Sequence, residues 1–358
     1  MKKSLLLILG ITLSVIFLIL LGSVFQIGDK LGEIGGKWLE YGFYILILVL
    51  LAAFVIIPVV KVHFAPEMPA LTTDGVLDPE KVGELGDKLV HNCSYIPDDR
   101  LRKDHKTALS ESIKEAGSDL PALTKVVNEE ITYRLEGDKD KKAEGAVLGI
   151  NGKIREWART VFLVTAISQN SKFDSLAVIA INYKMIEDIV LSSGFRPTRP
   201  QMFRLYIRVL GISLLSYLAS DAIGDFSKDL ASSLPSSDTA AMDIDMVELS
   251  DRKFLENIKK ARIPSIIFGS ALDGAINAIL TLRIGYVTRA YILKGAKALD
   301  DKATRRTVRL QAMRDAHKNI PAVIGNSASV IGKSAAGKLI KFFTRTSNDA
   351  PEAAFADE

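Results

Sequence analysis

Hydrophobic positions are unevenly spaced along this chain, and their spacing divides it into two kinds of segment. Near the N-terminus, Ser4–Gly28 and Tyr41–Val60 contain no charged side chain. Each is long enough to cross a hydrocarbon core of roughly 30 Å as a helix. Beyond residue 65, apolar residues recur every three or four positions, which is typical of amphipathic helices. The pattern predicts an all-α protein, with a two-helix transmembrane hairpin at 1–64 (spans about 5–27 and 41–60) followed by a cytoplasmic multi-helix bundle.

The polar part of the chain divides further by composition. Residues 65–150 begin with three prolines and a glycine and then show short polar helical patterns, which predicts a linker and a small helical region. The segment 151–300 is more apolar and predicts the main helical domain, interrupted by a Ser- and Asp-rich acidic insert at about 229–250. The segment 301–345 predicts basic amphipathic helices, and 346–358 predicts a disordered acidic tail.

One helix of the main domain has clear start and stop signals. Asp174 stands at its first turn, where a carboxylate suits the helix dipole. Gly194 stands at its end as an expected C-cap. Between them, apolar residues three or four apart predict one buried face: Leu176, Ile179, Tyr183, Ile186 and Val190.

Two further helices, at 201–226 and 263–293, are unusually apolar. The uncharged core of the first, Val209–Ser220, is shorter than the ~20 residues that a span requires. The second is long enough but contains Asp273 and Arg283, and each charge would cost a few kcal/mol at the bilayer centre. We expect both helices to lie inside the bundle, while conditional insertion into a membrane stays open as an alternative.

Charge placement predicts the orientation. Lys2 and Lys3 precede the first span, and Lys61 and His63 follow the second. Positively charged flanks remain on the cytoplasmic side, so both termini are expected there. The lone cysteine, Cys93, excludes an internal disulfide and fits a reducing compartment. The formal net charge of +4 is too small to indicate a nucleic-acid-binding protein.

The C-terminal region combines basic and apolar positions. Cations crowd one stretch and flank the next, and they define an expected basic surface: Arg305, Arg306, Arg309, Lys338 and Lys341. Ile324, Ala328, Ile331, Ala335, Leu339 and Phe342 would form one apolar stripe on a continuous helix. Such a helix could lie on an anionic leaflet or pack on the bundle with a basic rim. A solvated face, anionic lipid and an acidic protein are the alternatives for the basic surface.

Gly332-Lys333-Ser334 matches the end of a phosphate-binding loop. That loop requires a glycine five positions earlier, where the chain has Ser327. We therefore favour an accidental match. The four histidines show no metal-ligand spacing, and the sequence contains no defensible catalytic triad or carboxylate pair. No catalytic, metal-binding or cofactor-binding residue is predicted.

A set of polar residues does recur within the apolar helices, and it predicts a polar clasp or partner site: Asp174, Asp273, Asn277, Thr281 and Arg283. Asn277 and Thr281 are four residues apart and share one helix face. A buried guanidinium such as that of Arg283 requires carboxylate or carbonyl partners. A structural clasp that fixes helix register is the simpler of the two interpretations.

The same residues carry a family resemblance. The run from Phe173 to Leu210, followed by "DGAINAILTLRIGYVTRAYIL", resembles the YcjF-type bacterial inner-membrane proteins, a family built on a domain of unknown function that also occurs fused to GTPase domains. The shared positions include Gly194, Gly274 and Gly285. The resemblance implies a multi-pass protein of the bacterial inner membrane that contacts lipid and a protein partner, with a P-loop GTPase as the suggested one.

Three functional hypotheses follow. The first is a non-enzymatic, membrane-anchored scaffold that presents its helical domain to a partner in envelope or stress physiology, with self-association left open. The second is a membrane-remodelling or conditionally inserting protein that uses the two apolar helices. The third is a nucleotide hydrolase that uses Lys333, which the missing glycine disfavours.

Overall fold

The computed structural model describes residues 21–22, 24–69, 72–73, 76–77, 79–140, 146–167, 171–221, 269–295 and 302–349. Within them the chain is helical, apart from connecting segments and one antiparallel hairpin of two-residue strands, β1 (Thr72–Thr73) and β2 (Val76–Leu77). The all-α prediction is confirmed. The predicted acidic insert and most of the first predicted span lie outside the described residues.

The N-terminal described part contains one continuous apolar helix. It consists of α2 (Lys37–Leu51), a π-helical turn (Ala52–Ile56) and α3 (Ile57–Phe64), and we call Lys37–Phe64 the apolar helix. The π turn precedes Pro58, which lacks the N–H that a regular helix would use there. Among the described residues, this is the one helix long and apolar enough to cross a bilayer. The predicted pair of spans is thus represented by one such helix.

Helix α1, residues 24–35, packs against the start of the apolar helix. Gly36 joins them with a φ of 76°, a value that favours glycine. The rings of Phe25 and Tyr44 lie 5.6 Å apart, and a Cβ at Gly28 would lie 2.4 Å from the Tyr44 ring. The segment Asp29–Glu40, which connects the two predicted spans, is therefore helical on both sides of one glycine.

The remaining helices form the bundle and its attachments. They are α4 (Pro79–His91), α5 (Asp99–Ala116), α6 (Leu120–Glu136), α7 (Ile150–Ile167), α8 (Ser171–Ser193), α9 (Arg199–Asp221), α10 (Gly269–Lys294), α11 (Lys302–Asn326), α12 (Ala328–Ile331) and α13 (Lys333–Asp349). The short polar helices expected after Pro79 are α4, α5 and α6. Asp98 caps α5 by accepting hydrogen bonds from the backbone N–H groups of Arg100 and Leu101.

Helix α10 is the centre of the bundle and packs against α7, α8, α9 and α11. Every side chain from Gly274 to Thr288 is buried except the half-buried Ile276. A helix that is apolar on all sides is expected to be enclosed, either by protein or by lipid. Here the protein encloses the described part of α10, as expected from the sequence. Helix α8 is likewise buried on several sides, because Val178, Met185 and Ile189 are buried in addition to the single predicted face.

The C-terminal helices differ from the predicted continuous stripe. The helix is interrupted after Asn326 and again at Gly332, whose φ is 87°. Helix α13 then packs back on α11 and buries Ala336, Leu339 and Phe343. This favours the bundle-packed alternative over a helix lying on a leaflet. Helix α13 ends at Asp349, so the tail predicted from residue 346 starts inside it and continues outside the described residues.

Two of the motif glycines allow the close approach of α10 to its neighbours. A Cβ at Gly274 would lie 2.8 Å from the Phe162 carbonyl oxygen and 2.9 Å from the Ala166 Cβ. A Cβ at Gly285 would lie 2.7 Å from Ile154 and 3.2 Å from Met185. Since a backbone oxygen cannot turn away as a side chain can, the Gly274 contact is the less tolerant of the two.

We therefore expect Gly274→Ala to destabilise the protein by about 1–3 kcal/mol, because the clash outweighs the gain in helix propensity. Gly337→Ala in α13 is the matched control, since a Cβ there meets nothing within 4 Å. It should be neutral or stabilising by up to ~1 kcal/mol. Equilibrium unfolding of the full chain in mild detergent, followed by circular dichroism, compares the two. Equal effects of both substitutions would contradict the packing argument.

Candidate functional site

Four of the five predicted clasp residues lie on α10, and Asp174 lies on α8. Asn277 and Thr281 are buried and share a face, as expected. The Asn182 side chain on α8 donates to the Thr281 hydroxyl over 3.3 Å and to the Val178 carbonyl over 2.8 Å. Asn182, which sequence reasoning missed, thus links α8 to α10. This part of the clasp ties two neighbouring helices in one register.

Arg283 belongs to a different environment. It is 1% exposed and lies close to His317 of α11. Burial lowers the pKa of His317, and the positive charge of Arg283 lowers it further, while the hydrogen bond to the Met313 carbonyl acts in the opposite direction. A neutral imidazole beside a buried guanidinium avoids a second positive charge in the core.

The two aspartates of the predicted clasp lie on different helices. Asp273 is exposed on α10, four residues before Asn277. Asp174 lies in α8, and the position of its side chain is outside the described part of the structure. The structure thus links Thr281 to Asn182 and places Arg283 near His317, while a clasp of all five residues stays a prediction.

The predicted basic surface spreads over α11 and α13, which pack against each other. Arg306, Lys338 and Lys341 are exposed, whereas Arg305 and Arg309 are half-buried. The exposed Arg314 and Lys318 extend the surface along α11. Cations that protrude from a packed helix pair fit an acidic partner or an anionic surface.

A stronger arrangement lies where the apolar helix meets the bundle, and we call Lys61, Lys184, Glu187 and Tyr206 the junction. The Lys61 ammonium lies 3.1 Å from the Glu187 carboxylate, whose side chain is 2% exposed. Lys184, one turn before Glu187 on α8, pairs with the same carboxylate. Val62 beside Lys61 is buried in the bundle core. The last turns of the apolar helix are therefore part of the folded bundle.

The junction also includes the start of α9. The rings of Tyr183 and Tyr206 meet edge to face with centroids 5.1 Å apart. Burial raises the pKa of Tyr206 strongly, with smaller contributions from Tyr183 and the negative charge of Glu187. The Glu187 carboxylate thus lies within electrostatic reach of groups on α3, α8 and α9.

The chain that leaves the apolar helix is fixed as well. The Arg196 backbone N–H donates to the Pro66 carbonyl over 2.8 Å. The Arg196 guanidinium lies 3.0 Å from the Glu67 carboxylate. Gly194, the third motif glycine, ends α8 just before this contact with a φ of 82°. The predicted linker therefore starts with an ordered segment along the α8–α9 loop.

A second buried polar cluster joins α4, α5 and α6 to the end of α8. The Glu130 carboxylate accepts hydrogen bonds from Tyr95 (3.0 Å), His105 (2.8 Å) and Arg134 (2.7 Å). Arg134 also donates to the Leu89 carbonyl (2.7 Å) and to the Ser193 carbonyl (2.9 Å). One arginine thus satisfies carbonyls near the ends of two helices, which is the role of a C-terminal cap.

Electrostatics favours a charged Glu130 in this cluster. Burial alone would raise the pKa of Glu130, but the hydrogen bonds and positive charges of His105 and Arg134 outweigh it and lower the pKa. Burial also raises the pKa of the neighbouring Cys93 thiol. The donors and acceptors of the Glu130–Arg134 pair are directed at one another, so the arrangement can hold helices together.

The burial of this cluster could have been predicted from the spacing of residues in α6. The buried positions of α6 are Leu123, Val127, Glu130 and Arg134, at steps of four, three and four. The charged pair therefore continues the apolar stripe, which is a sign of burial. No comparable signal identifies the junction, because its two oppositely charged partners, Lys61 and Glu187, come from distant parts of the chain.

The segment that matches the end of a phosphate-binding loop does not have the structure of such a loop. Ser327, at the position where the loop needs a glycine, is buried and donates its hydroxyl to the Val323 carbonyl. Lys333 is exposed at the start of α13, which follows another helix rather than a strand. Within the described ranges, no group of three or more His, Cys, Asp or Glu side chains could hold a metal ion.

Glu130→Gln is expected to destabilise the protein by about 3–5 kcal/mol at pH 7, because Arg134 would remain buried without its counter-charge. The pKa of folded Glu130 lies below its ordinary value of 4.5. Its contribution is therefore fully present above that pH and is lost as the pH falls through the folded pKa. The difference between wild type and variant should shrink in this acidic range.

The neighbouring Glu129→Gln provides the control, since Glu129 is exposed and lies 4.0 Å from Lys125. It should change the free energy of unfolding by no more than about 0.5 kcal/mol. Denaturant titrations at pH 7 and at several lower pH values measure both effects. A loss for Glu130→Gln no larger than for Glu129→Gln would contradict the role of the cluster.

Comparison with known proteins adds one family. The model of a family described as a domain of unknown function, DUF697, matches residues 137–318, which begin after α6 and include α7, α8, α9, α10 and most of α11. No curated protein and no solved structure matches the chain. The family match confirms the resemblance drawn from the sequence. Because it covers just over half of the chain, the protein belongs to the DUF697 family of domains of unknown function.

Proposed function

We propose that this protein is a non-enzymatic, membrane-anchored scaffold of the bacterial inner membrane that presents its helical bundle to a cytoplasmic protein partner. The apolar helix spans the bilayer, and the bundle starts where that helix ends. With the predicted first span at about 5–27 also crossing the bilayer, both termini lie in the cytoplasm, as the positive charges at Lys2, Lys3 and Lys61 favour.

The observation that carries this proposal is the junction. Large apolar side chains on the apolar helix are exposed, among them Trp38, Ile45 and Leu48, and in a bilayer they would be covered by lipid. At the end of this helix, Pro58 and Val62 are buried, and Lys61 pairs with Glu187. A flexible tether would not pack its end into the bundle core in this way. The bundle would therefore sit at a fixed height and orientation at the membrane surface.

The basic surface of α11 and α13 is the proposed partner-binding side. Its exposed cations include Arg306, Arg314 and Lys318 on one helix and Lys338 on the neighbouring helix. Complementary charge speeds the encounter with an acidic partner and orients it. A P-loop GTPase is the first candidate, because the resembling family occurs fused to GTPase domains. Nucleic acid is not a proposed partner, since aromatic residues do not alternate with these cations in the sequence.

Conditional insertion into the membrane is the second candidate. Ile167, at the end of α7, is 64% exposed, and Val164, one turn earlier, is 38% exposed. These apolar groups could contact lipid if the bundle tilts towards the membrane. A stable bundle with a docked partner does not require this step.

The scaffold proposal predicts that charge reversal on α11 abolishes partner binding. The variant carries Arg306→Glu, Arg314→Glu and Lys318→Glu in the full chain. Gentle solubilisation of the membranes, affinity capture and quantitative mass spectrometry measure what remains bound. We expect a nucleotide-binding protein with the wild type and a decrease of about tenfold or more with the variant, because the electrostatic attraction is reversed.

The control variant reverses three exposed cations elsewhere: Lys103, Lys106 and Lys125 of α5 and α6. It has the same net charge but should retain the partner. Equal losses from both variants would indicate non-specific charge effects. Recovery of the protein without any partner from wild-type membranes would contradict the scaffold function itself.

A further inference from the structure

A cleft of about 360 Å³ lies beside the junction, between the end of the apolar helix, the end of α8 and the segment after α4. Its walls are mainly apolar, and Val60, Phe64 and Leu191 are its exposed apolar side chains. Lys61 forms part of the lining, and Asn92 and Ser94 add polar groups. The volume is within the range of ~300–1,000 Å³ typical of small-molecule sites.

If the apolar helix spans the bilayer, as in the proposed function, the residues that line the cleft indicate its depth relative to that bilayer. Val60 is the last residue of the uncharged stretch Tyr41–Val60, and Lys61 carries the first charge after it. Such a lysine lies at the level of the lipid headgroups. Phe64, one turn further, is 81% exposed. The cleft would therefore open at the cytoplasmic interface, where lipids are the most abundant neighbours.

The three charged side chains at the junction, Lys61, Lys184 and Glu187, have a net charge of +1. Glu187 is paired with both Lys61 and Lys184, so two ammonium groups share one carboxylate. One positive charge is left over at the junction. The Lys61 side chain is 52% exposed, so an anion in the cleft could approach its ammonium group. A phosphate would satisfy this surplus through charge-assisted hydrogen bonds.

The chemistry along the cleft also changes from one end to the other. The apolar side chains of Val60 and Leu191 suit an acyl chain, whereas Lys61, Asn92 and Ser94 suit a charged or polar headgroup. A molecule that matches both ends is amphiphilic. A soluble nucleotide or a free phosphate would leave the apolar wall uncovered.

We infer that this cleft binds one anionic phospholipid, with the phosphate on Lys61 and an acyl chain along Val60, Phe64 and Leu191. The inference rests on the proposed function, because it requires the apolar helix to lie in a bilayer. A bound lipid would extend the contact between the apolar helix and α8 and would strengthen the fixed orientation of the bundle.

Native mass spectrometry of the full chain in detergent, titrated with phosphatidylglycerol or phosphatidylcholine, tests the inference. The wild type should bind phosphatidylglycerol at least about fivefold more tightly than phosphatidylcholine, because the choline cation offsets the charge of the phosphate that would face Lys61; fivefold corresponds to about 1 kcal/mol. Lys61→Gln should remove this preference. Lys103→Gln is the matched control, because it removes an exposed cation of α5 that lies outside the junction and the cleft lining.

Two further measurements test whether the lipid occupies the cleft and whether a free phosphate can replace it. Leu191→Trp fills the cleft and should weaken binding of both lipids, whereas Leu293→Trp, at a similarly exposed site on α10 outside the cleft, should have no effect. Inorganic phosphate should not displace the lipid. If the wild type shows no lipid preference, if both lysine variants lose it equally, or if phosphate alone competes fully, the inference is overturned.

These results are independent of the partner test. A protein that binds its partner through α11 but shows no lipid preference would disprove the lipid site and leave the scaffold function intact. A protein that retains the lipid preference but binds no partner would do the reverse.

Discussion

A buried carboxylate requires a positively charged partner, and this requirement determines how the apolar helix is attached to the bundle. Glu187 of α8 is 2% exposed, and one of its cations, Lys61, comes from the apolar helix. Separating the two would leave Glu187 with Lys184 alone and would expose the apolar contacts of Val62. The apolar helix is therefore held by a charge pair and by core packing at the same place. On the proposed function, an apolar helix held in this way would orient the whole bundle at the membrane.

The same principle recurs deeper in the molecule. Arg134 joins Glu130 to the ends of α4 and α8, so one guanidinium reinforces the packing of the three polar helices on the bundle. In the bundle itself, Gly274 brings α10 against α7, and Asn182 ties α10 to α8. The apolar residues supply the main driving force for folding, while these polar and close contacts select one arrangement of the helices.

The sequence predicts the helices well because their signals are local. The end of α8 follows from Gly194, which has the expected left-handed conformation. The shared face of Asn277 and Thr281 follows from their spacing, but their neighbour Asn182 does not, since it lies about a hundred residues earlier. Glu130 and Arg134 have the spacing of an exposed ion pair, and their burial follows only from the stripe that they continue. Lys61 was interpreted as a flank of the span, so its contact with Glu187 was missed.

The contacts at the junction predict that the apolar helix and the bundle form a single rigid unit. Spin labels at Ile56, on the apolar helix, and Phe203, on α9, report on it directly, and both positions are about half exposed. Pulsed electron paramagnetic resonance on the protein in lipid nanodiscs, with Cys93 replaced by Ala, measures the distance between the labels. A single narrow distribution is predicted. A broad distribution, such as a flexible tether would produce, would contradict the claim.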